Sequence, residues 1–292
     1  MKMRNGRSHI AGALIGLTVV CLLTHSPLAG VAAGGEKLKP EEVVARHLES
    51  LGPAEARQPG RSRVIAGTSL LNLRSGGGGQ TSGAAVIASQ GEKVLLKAEF
   101  DSPSYPFERI GFDGKKLTAR PYAPGARSPI AGFFLSHDAT FGEGLIGGTL
   151  SSAWPLLNLA ERRAKLEYAG TEKVNGREAH KLKYMPHEGS ELKVKLYFDA
   201  ENFHHLRTEY ERVIPAPMGA TPQQSASQRE TRYKLVEDFS DFRPEGGMTL
   251  PHSYKMQYSV SQYNPFVMDW TFNFEKYTFG FALEAKEFVT DN

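Results

Sequence analysis

The chain has 292 residues, 40% of them hydrophobic, with 35 Lys and Arg against 32 Asp and Glu and a single cysteine. One thiol excludes an intrachain disulfide framework and a cysteine-rich metal site. The slight positive balance excludes a polybasic nucleic-acid binder: Lys2, Arg4 and Arg7 fall in a segment expected to be removed, and without them 32 bases face 32 acids with no basic stripe left.

Those three basic residues precede an apolar run from Ile10 to Leu23, and small residues from Ala29 to Gly35 follow it. This is the order of a cleavable export signal, with cutting expected after Ala32 or Ala33. The run is about 14 residues where a membrane span needs roughly 20, so no transmembrane anchor is expected after cleavage. Cys21 lies inside the run behind Val20, does not resemble a lipidated cysteine, and leaves with the signal. Residues 1–33 are thus read as a signal peptide and residues 34–292 as one exported domain, periplasmic or, as second choice, secreted.

Lys37 to Gly52 is predicted to be one amphipathic helix. Pro40 suits a first turn, Glu41 and Glu42 suit the positive end of the helix dipole, and Gly52 stops it before Pro53. Val44, Leu48 and Leu51 share a face that must pack on something larger.

From Ser62 the period changes to two. Val94, Leu96, Ala98 and Phe100 alternate with Lys93, Leu95, Lys97 and Glu99, and the same rhythm runs through Leu192–Asp199, Tyr254–Ser261 and Met268–Glu275. Such strands have one wet and one dry face. Asp113-Gly114 and Asn175-Gly176 suit two-residue hairpin turns, so sequence neighbours should pair antiparallel.

Between Ser128 and Ala160 large apolar residues come without alternation, broken by glycines and Pro155. One or two short helices and loops lying across the dry face are expected there, as a lid. A polar loop near 214–230 has no core to offer. The predicted class is mostly β (α+β): a curved antiparallel sheet forming an incomplete barrel, with an N-terminal helix and short central helices as a lid.

Chemical motifs are few. Gly142, Gly144 and Gly147 spell G-x-G-x-x-G, but no strand precedes them and no acid follows at the distance a dinucleotide site needs, so a flexible apolar loop is the better reading. Seven histidines follow the signal, none in H-E-x-x-H. His204 and His205 would point to opposite faces of a strand, and exposed strand-edge histidines are expected rather than a metal site. His137-Asp138 is the one pair worth testing for acid–base work, with a turn cap as the better reading. No G-x-S-x-G surrounds a serine, and Ser69, Ser151 and Ser152 have no identifiable partner. No enzyme, cofactor or metal is expected.

What remains is apolar mass in two places, the dry face and the lid. It forms either a cavity for a lipid-like ligand or an interior in which these side chains fill each other's space. Three stretches are similar to a known family: Glu41-Glu42-Val43-Val44-Ala45-Arg46-His47-Leu48; the hairpin from Tyr168 through Asn175-Gly176-Arg177 into Lys181-Leu182-Lys183-Tyr184; and Leu196-Tyr197-Phe198-Asp199. With Glu237-Asp238-Phe239-Ser240-Asp241-Phe242 and Gly246-Gly247-Met248-Thr249-Leu250-Pro251, they resemble the outer-membrane lipoprotein carrier (LolA/LolB-like) superfamily over most of the mature chain. The resemblance implies an incomplete barrel whose helical lid encloses a hydrophobic cavity for acyl chains.

The expected function is therefore a periplasmic carrier or binding protein for a lipid, an acyl chain or a lipoprotein. Phe133, Phe134, Leu150, Trp154, Leu156 and Leu157 would line the pocket from the lid, and Met256, Tyr258, Trp270, Phe272 and Phe274 from the sheet. The alternative is a non-catalytic envelope scaffold or sensor module with a filled interior, whose partner would be an envelope protein.

Overall fold

The computed structural model describes residues 38–58, 60–74, 78–218, 221, 228–261, 265–280 and 282–290. The expected signal peptide lies outside them, as do residues 219–220 and 222–227 of the polar loop.

Helix α1 (Pro40–Leu51) starts with its proline in the first turn, where the missing N–H costs nothing, and the Glu42 carboxylate accepts the Lys39 backbone N–H at 2.9 Å. Gly52, at φ 124°, ends it. Its buried face is Val43, Val44, His47 and Leu51, with Leu48 only partly covered, so the stripe is rotated from the predicted one to admit a histidine.

Twelve strands follow. The first five are β1 (Arg63–Leu73), β2 (Gly79–Gln90), β3 (Lys93–Glu99), β4 (Phe107–Phe112) and β5 (Leu117–Ala119). After the lid come β6 (Lys165–Val174), β7 (Arg177–Met185), β8 (Lys193–Asp199), β9 (His205–Ile214), β10 (Thr231–Glu245), β11 (Met248–Ser261) and β12 (Phe266–Phe279). They form one sheet in the order β5-β4-β3-β2-β1-β12-β11-β10-β9-β8-β7-β6, in which every neighbouring pair is antiparallel. The outermost strands β5 and β6 do not pair with each other, so the barrel is not closed.

Registers carry the predicted alternation. Tyr254 opposes Phe272, Met256 opposes Trp270 and Tyr258 opposes Met268 on the dry face, while Lys255 opposes Thr271 on the other. Leu95 departs from its expected wet position. It is buried on the outer face with Ala88 and Phe288, where the last turn, Ala285–Phe288, covers β2 and β3.

The two hairpin dipeptides differ. Asn175 and Gly176, at φ 49° and 86°, make the two-residue turn between β6 and β7. Asp113-Gly114 does not make the predicted turn. The connection is four residues long and only Gly114 has positive φ, because the Asp113 carboxylate accepts the N–H groups of Lys115 and Lys116, both at 2.8 Å, and props the loop open.

The lid consists of α2 (Pro129–Ser136), α3 (Asp138–Gly142), tight turns at Gly148–Leu150 and Pro155–Asn158, and the single turn α4 (Leu159–Arg162). Helix α2 lies beside β5, and Glu143 reaches the Tyr184 hydroxyl of β7 at 2.7 Å. A flat sheet would hold β5 and β7 roughly 48 Å apart at about 4.8 Å per strand. Two short helices of about 1.5 Å per residue cannot bridge that, so the sheet must curl around its lid. Among the described residues no helix is long and apolar enough to cross a membrane.

Candidate functional site

All eleven predicted pocket residues lie in one apolar core between lid and sheet. Ten are at most 5% exposed, and Leu157 is half-buried at the margin. They occupy two neighbourhoods. Beneath α2, the Phe133 ring centroid is 5.1 Å from Tyr258 and 5.8 Å from Phe141; Phe134 meets Phe141 edge-on at 4.3 Å, and Phe141 meets Tyr210 at 5.1 Å. Further along the sheet, Tyr254 stacks on Phe272 at 5.3 Å, and Phe272 on Phe274 at 6.1 Å. These are ordinary packing distances for aromatic pairs, so in this structure the rings fill each other's space.

Trp154 belongs to a different environment, one that sequence reasoning missed. Its indole N–H donates to His47 Nε2 at 3.2 Å, while His47 Nδ1 bonds the Phe203 carbonyl at 2.9 Å. A carbonyl can only accept, so the Nδ1 carries the proton and the ring is neutral. Burial drives the His47 pKa down to about 4, the Phe203 bond only partly offsetting it. His205 stacks on Trp154 at 4.6 Å with no exposure, and burial holds it well below the usual histidine range. Both depart from the exposed strand-edge role expected of the histidines.

Three more polar groups sit on the dry face. Arg63 donates from Nη1 to the carbonyls of Thr149 at 2.8 Å and Ser151 at 3.1 Å, and burial lowers its pKa to about 10. Glu237 is fully buried and accepts from the Gly147 N–H at 2.9 Å, from Tyr210 at 2.6 Å and from the Tyr254 hydroxyl. Burial raises the pKa of its carboxyl, against the pull of those three donors. Glu108 on β4 accepts from the Tyr105 hydroxyl, and burial raises it to about 7. Each keeps step with apolar neighbours two residues away: Arg63 with Ile65, Glu108 with Ile110, Glu237 with Leu235 and Phe239. A charge in phase with a dry face was the available signal.

The G-x-G-x-x-G string begins at Gly142, the last residue of α3, rather than after a strand, and the Gly147 N–H that a pyrophosphate would require is given to Glu237. Gly148, at φ 48°, lies so close beneath the His205 ring that a Cβ there would come within 2.7 Å of Nδ1. Asp138 is the first residue of α3 and its carboxylate accepts the Ala139 N–H at 2.8 Å, a local turn contact, and the His137 ring lies against Phe133 at 5.0 Å. The Ser151 oxygen accepts the Ala153 N–H, while Ser69 and Ser152 donate to backbone carbonyls. Among the described residues no cluster of three or more His, Cys, Asp and Glu is placed to hold a metal ion.

The apolar core reaches the surface where α2 meets the ends of β9, β10 and β11. A mouth of about 260 Å³ opens there between Phe133, His137, Arg212, Ile214, Tyr233 and Tyr258. Its floor is aromatic. Its edge carries Arg212, paired with Glu191 at 2.7 Å, and His137, whose pKa is lowered by burial and then by the nearby Arg212.

No protein-family model matches the chain, and no curated protein sequence matches it. Solved structures similar to it include a LolA superfamily protein from Nitrosomonas europaea, 14% identical over 86% of this chain and 98% of that one, with a TM-score of 0.48. Others are an outer membrane lipoprotein-sorting protein domain from Vibrio parahaemolyticus (13% identity, 85% and 96% covered, TM-score 0.39) and a DUF1329 family protein from Desulfovibrio piger (11%, 85% and 96%, 0.42). Likeness at this level concerns the fold; what the site can do follows from its own side chains.

Proposed function

We propose that this is a non-enzymatic periplasmic binding protein that takes up an acyl chain, of a lipid or of a lipoprotein, at the mouth beneath α2. The observation that carries the reading is the way α2 is seated: Pro129, Ile130, Ala131, Phe133, Phe134 and Leu135 make it apolar on nearly every side, and it meets the sheet through the Phe133 ring on Tyr258 and the small apolar strand β5, with Phe141 of α3 on Tyr210 next to it. Such contacts are non-directional, so an acyl chain can replace them at little cost. At about 0.8 kcal/mol per buried methylene, a single chain repays the displacement of one or two rings. Phe133 and Tyr258 form the gate; Phe134, Met256 and Trp270 lie behind it.

The same rings support a second reading, an envelope scaffold or sensor module with a filled interior, because the side chains behind the gate are fully buried and in mutual contact. Uptake of a fluorescent fatty acid, together with mass spectrometry of solvent extracts of the purified protein, separates the two. Saturable uptake that a Phe133→Trp substitution weakens is expected for the binding protein; no uptake and no extracted lipid would leave the filled module. Sequencing the N-terminus of the protein recovered from the periplasm tests the export reading, with a start at Ala33 or Gly34 expected.

A further inference from the structure

Three large hydrophobic side chains stand out in solvent among the described residues: Met185 at 39%, Ile214 at 39% and Met218 at 96%. Ile214 and Met218 are neighbours just at and beyond the end of β9, and the antiparallel order brings Met185, distant in sequence, to the same end of the sheet. Met185 ends β7, opposite Lys165 at the start of β6. Lys193 opens β8 opposite Glu211 of β9, and Ile214 ends β9 opposite Thr231 at the start of β10. All of these positions belong to one rim of the sheet, and the Arg212–Glu191 pair ties the end of β9 to the β7–β8 connection. Ile214 also lines the mouth beneath α2, so the rim and the mouth are continuous.

Beside Met185 an apolar crevice of about 400 Å³ runs under the β7–β8 connection, floored by Tyr184, Pro186, Leu192 and Val194 and edged by Lys183, Lys193 and Lys195. Lys183 is matched to Glu167 and Lys195 to Glu209. The rim's acids are largely committed as well: Glu191 to Arg212, and Glu211 and Glu230 to Arg232. Lys165 and Lys193 are left exposed next to the apolar tips, with Glu188 as the unmatched acid. Protruding apolar tips flanked by lysines suit the boundary of an anionic bilayer, where the tips enter the acyl region and the ammonium groups stay at the headgroups.

We infer that this rim docks the protein on an anionic lipid bilayer, with Met185 and Met218 inserted and Lys165 and Lys193 against the headgroups. Docking on the rim brings the mouth beneath α2 to the membrane surface. That consequence rests on the proposed acyl site; the docking itself does not.

The test is sedimentation of the mature protein with vesicles of phosphatidylglycerol and phosphatidylcholine in equal amounts, and with vesicles of phosphatidylcholine alone. Binding to the mixed vesicles is expected, weakened by salt, and weak or absent without the anionic lipid. The double variant Met185→Ser/Met218→Ser should bind roughly tenfold more weakly. Lys193→Glu should lose a similar factor. Both variants should melt like the wild type, since all three side chains are exposed. Absence of vesicle binding, equal binding by the variants, or no preference for the anionic lipid would overturn the inference. So would a dimer in sedimentation equilibrium that the methionine variant dissolves, because a second copy would then cover the rim. Uptake of a fluorescent fatty acid from free solution should be unchanged in the methionine variant. Uptake lost in the wild type while vesicle binding persists would sink the acyl site and leave the docking surface standing.

Discussion

Residues 147–154 and residues 129–142 lie on the same apolar floor and are joined by four residues, yet they are held in different ways. The first stretch is pinned by groups with one allowed geometry: Gly147 to Glu237, Thr149 and Ser151 to Arg63, Ser152 to Ser89, and Trp154 to His47. The second rests on the rings of Phe133, Phe134 and Phe141 against Tyr210 and Tyr258, with polar ties to the body at its C-terminal end, Thr140 to Ser190 and, just beyond, Glu143 to Tyr184. Hydrogen bonds in a dry interior fix a register, because a displaced donor finds no water to replace its partner. Ring contacts tolerate sliding. One half of the lid is an anchor of hydrogen bonds and the other a seat of packed rings.

The largest expected effect comes from breaking the anchor. Glu237→Ala leaves the Gly147 N–H and two tyrosine hydroxyls without an acceptor in a site that excludes water, and should cost about 4 kcal/mol of unfolding free energy, measured by denaturant titration. Amide exchange should speed up at 147–154 and much less at 130–136. Equal acceleration in both stretches would erase the distinction.

Acid attacks the same anchor. The His47 pKa is depressed from 6.5 to about 4, so its stabilising contribution is complete above pH 6.5 and is lost as pH falls through about 4. Protonated His47 would turn an N–H toward the indole N–H of Trp154, two donors face to face. His204 and Arg57 add repulsion, and His205 lies 6.2 Å away, ring to ring. Between pH 8 and pH 4 this residue should remove about 3 kcal/mol. His47→Gln, whose amide can serve both Trp154 and Phe203, should reduce that slope; a profile identical to wild type would mean that the titrating groups lie elsewhere.

Cutting into the seat should cost less. Phe133→Ala, at the solvent edge of the ring cluster, is expected to lower stability by about 2 to 3 kcal/mol. It should leave exchange at 147–154 unchanged and quicken exchange in α2. A loss as large as that of Glu237→Ala would show that the rings hold the lid as firmly as the hydrogen bonds do.

Much of the architecture was written in the period of the sequence, because strands such as β8, β11 and β12 alternate and Asn175-Gly176 marks its own turn. The Asp113 turn was misread since a dipeptide signal is blind to a side chain that caps the next two amides. Met256, Tyr258, Trp270, Phe272 and Phe274 were legible as dry-face positions and the six lid residues as apolar mass without alternation, but neither signal says whether the space between them is full. The anchor was harder to read. Arg63 finds backbone carbonyls 86 and 88 residues away and Trp154 finds His47 at a separation of 107. Pairings of that reach leave no local trace beyond a charged or aromatic residue at a phase where solvent is absent.

Glu108 offers the finest test of the comparison, because it sits at the foot of the seat. It is buried on β4, accepts the Tyr105 hydroxyl, and lies beside Ser128, whose oxygen accepts the Ala131 N–H at 3.1 Å and caps α2. Its pKa is raised from 4.5 to about 7, so its contribution has the opposite sign to that of His47: complete below pH 4.5 and lost as pH rises through about 7. Glu237 is also pushed up by burial, so the wild-type profile mixes two carboxyls, and the difference between wild type and Glu108→Gln isolates one of them. The amide keeps an oxygen for Tyr105 and never ionises. From pH 4 to pH 6 the variant should therefore gain about 2 kcal/mol on the wild type, read from denaturant midpoints. Exchange in α2 should match the wild type while Glu108 stays protonated and should be slower in the variant above about pH 7, where the wild-type carboxyl ionises beside the Ser128 cap. If the difference stays flat with pH, Glu108 ionises in the folded protein as it does in the unfolded chain, and burial does not hold its proton on.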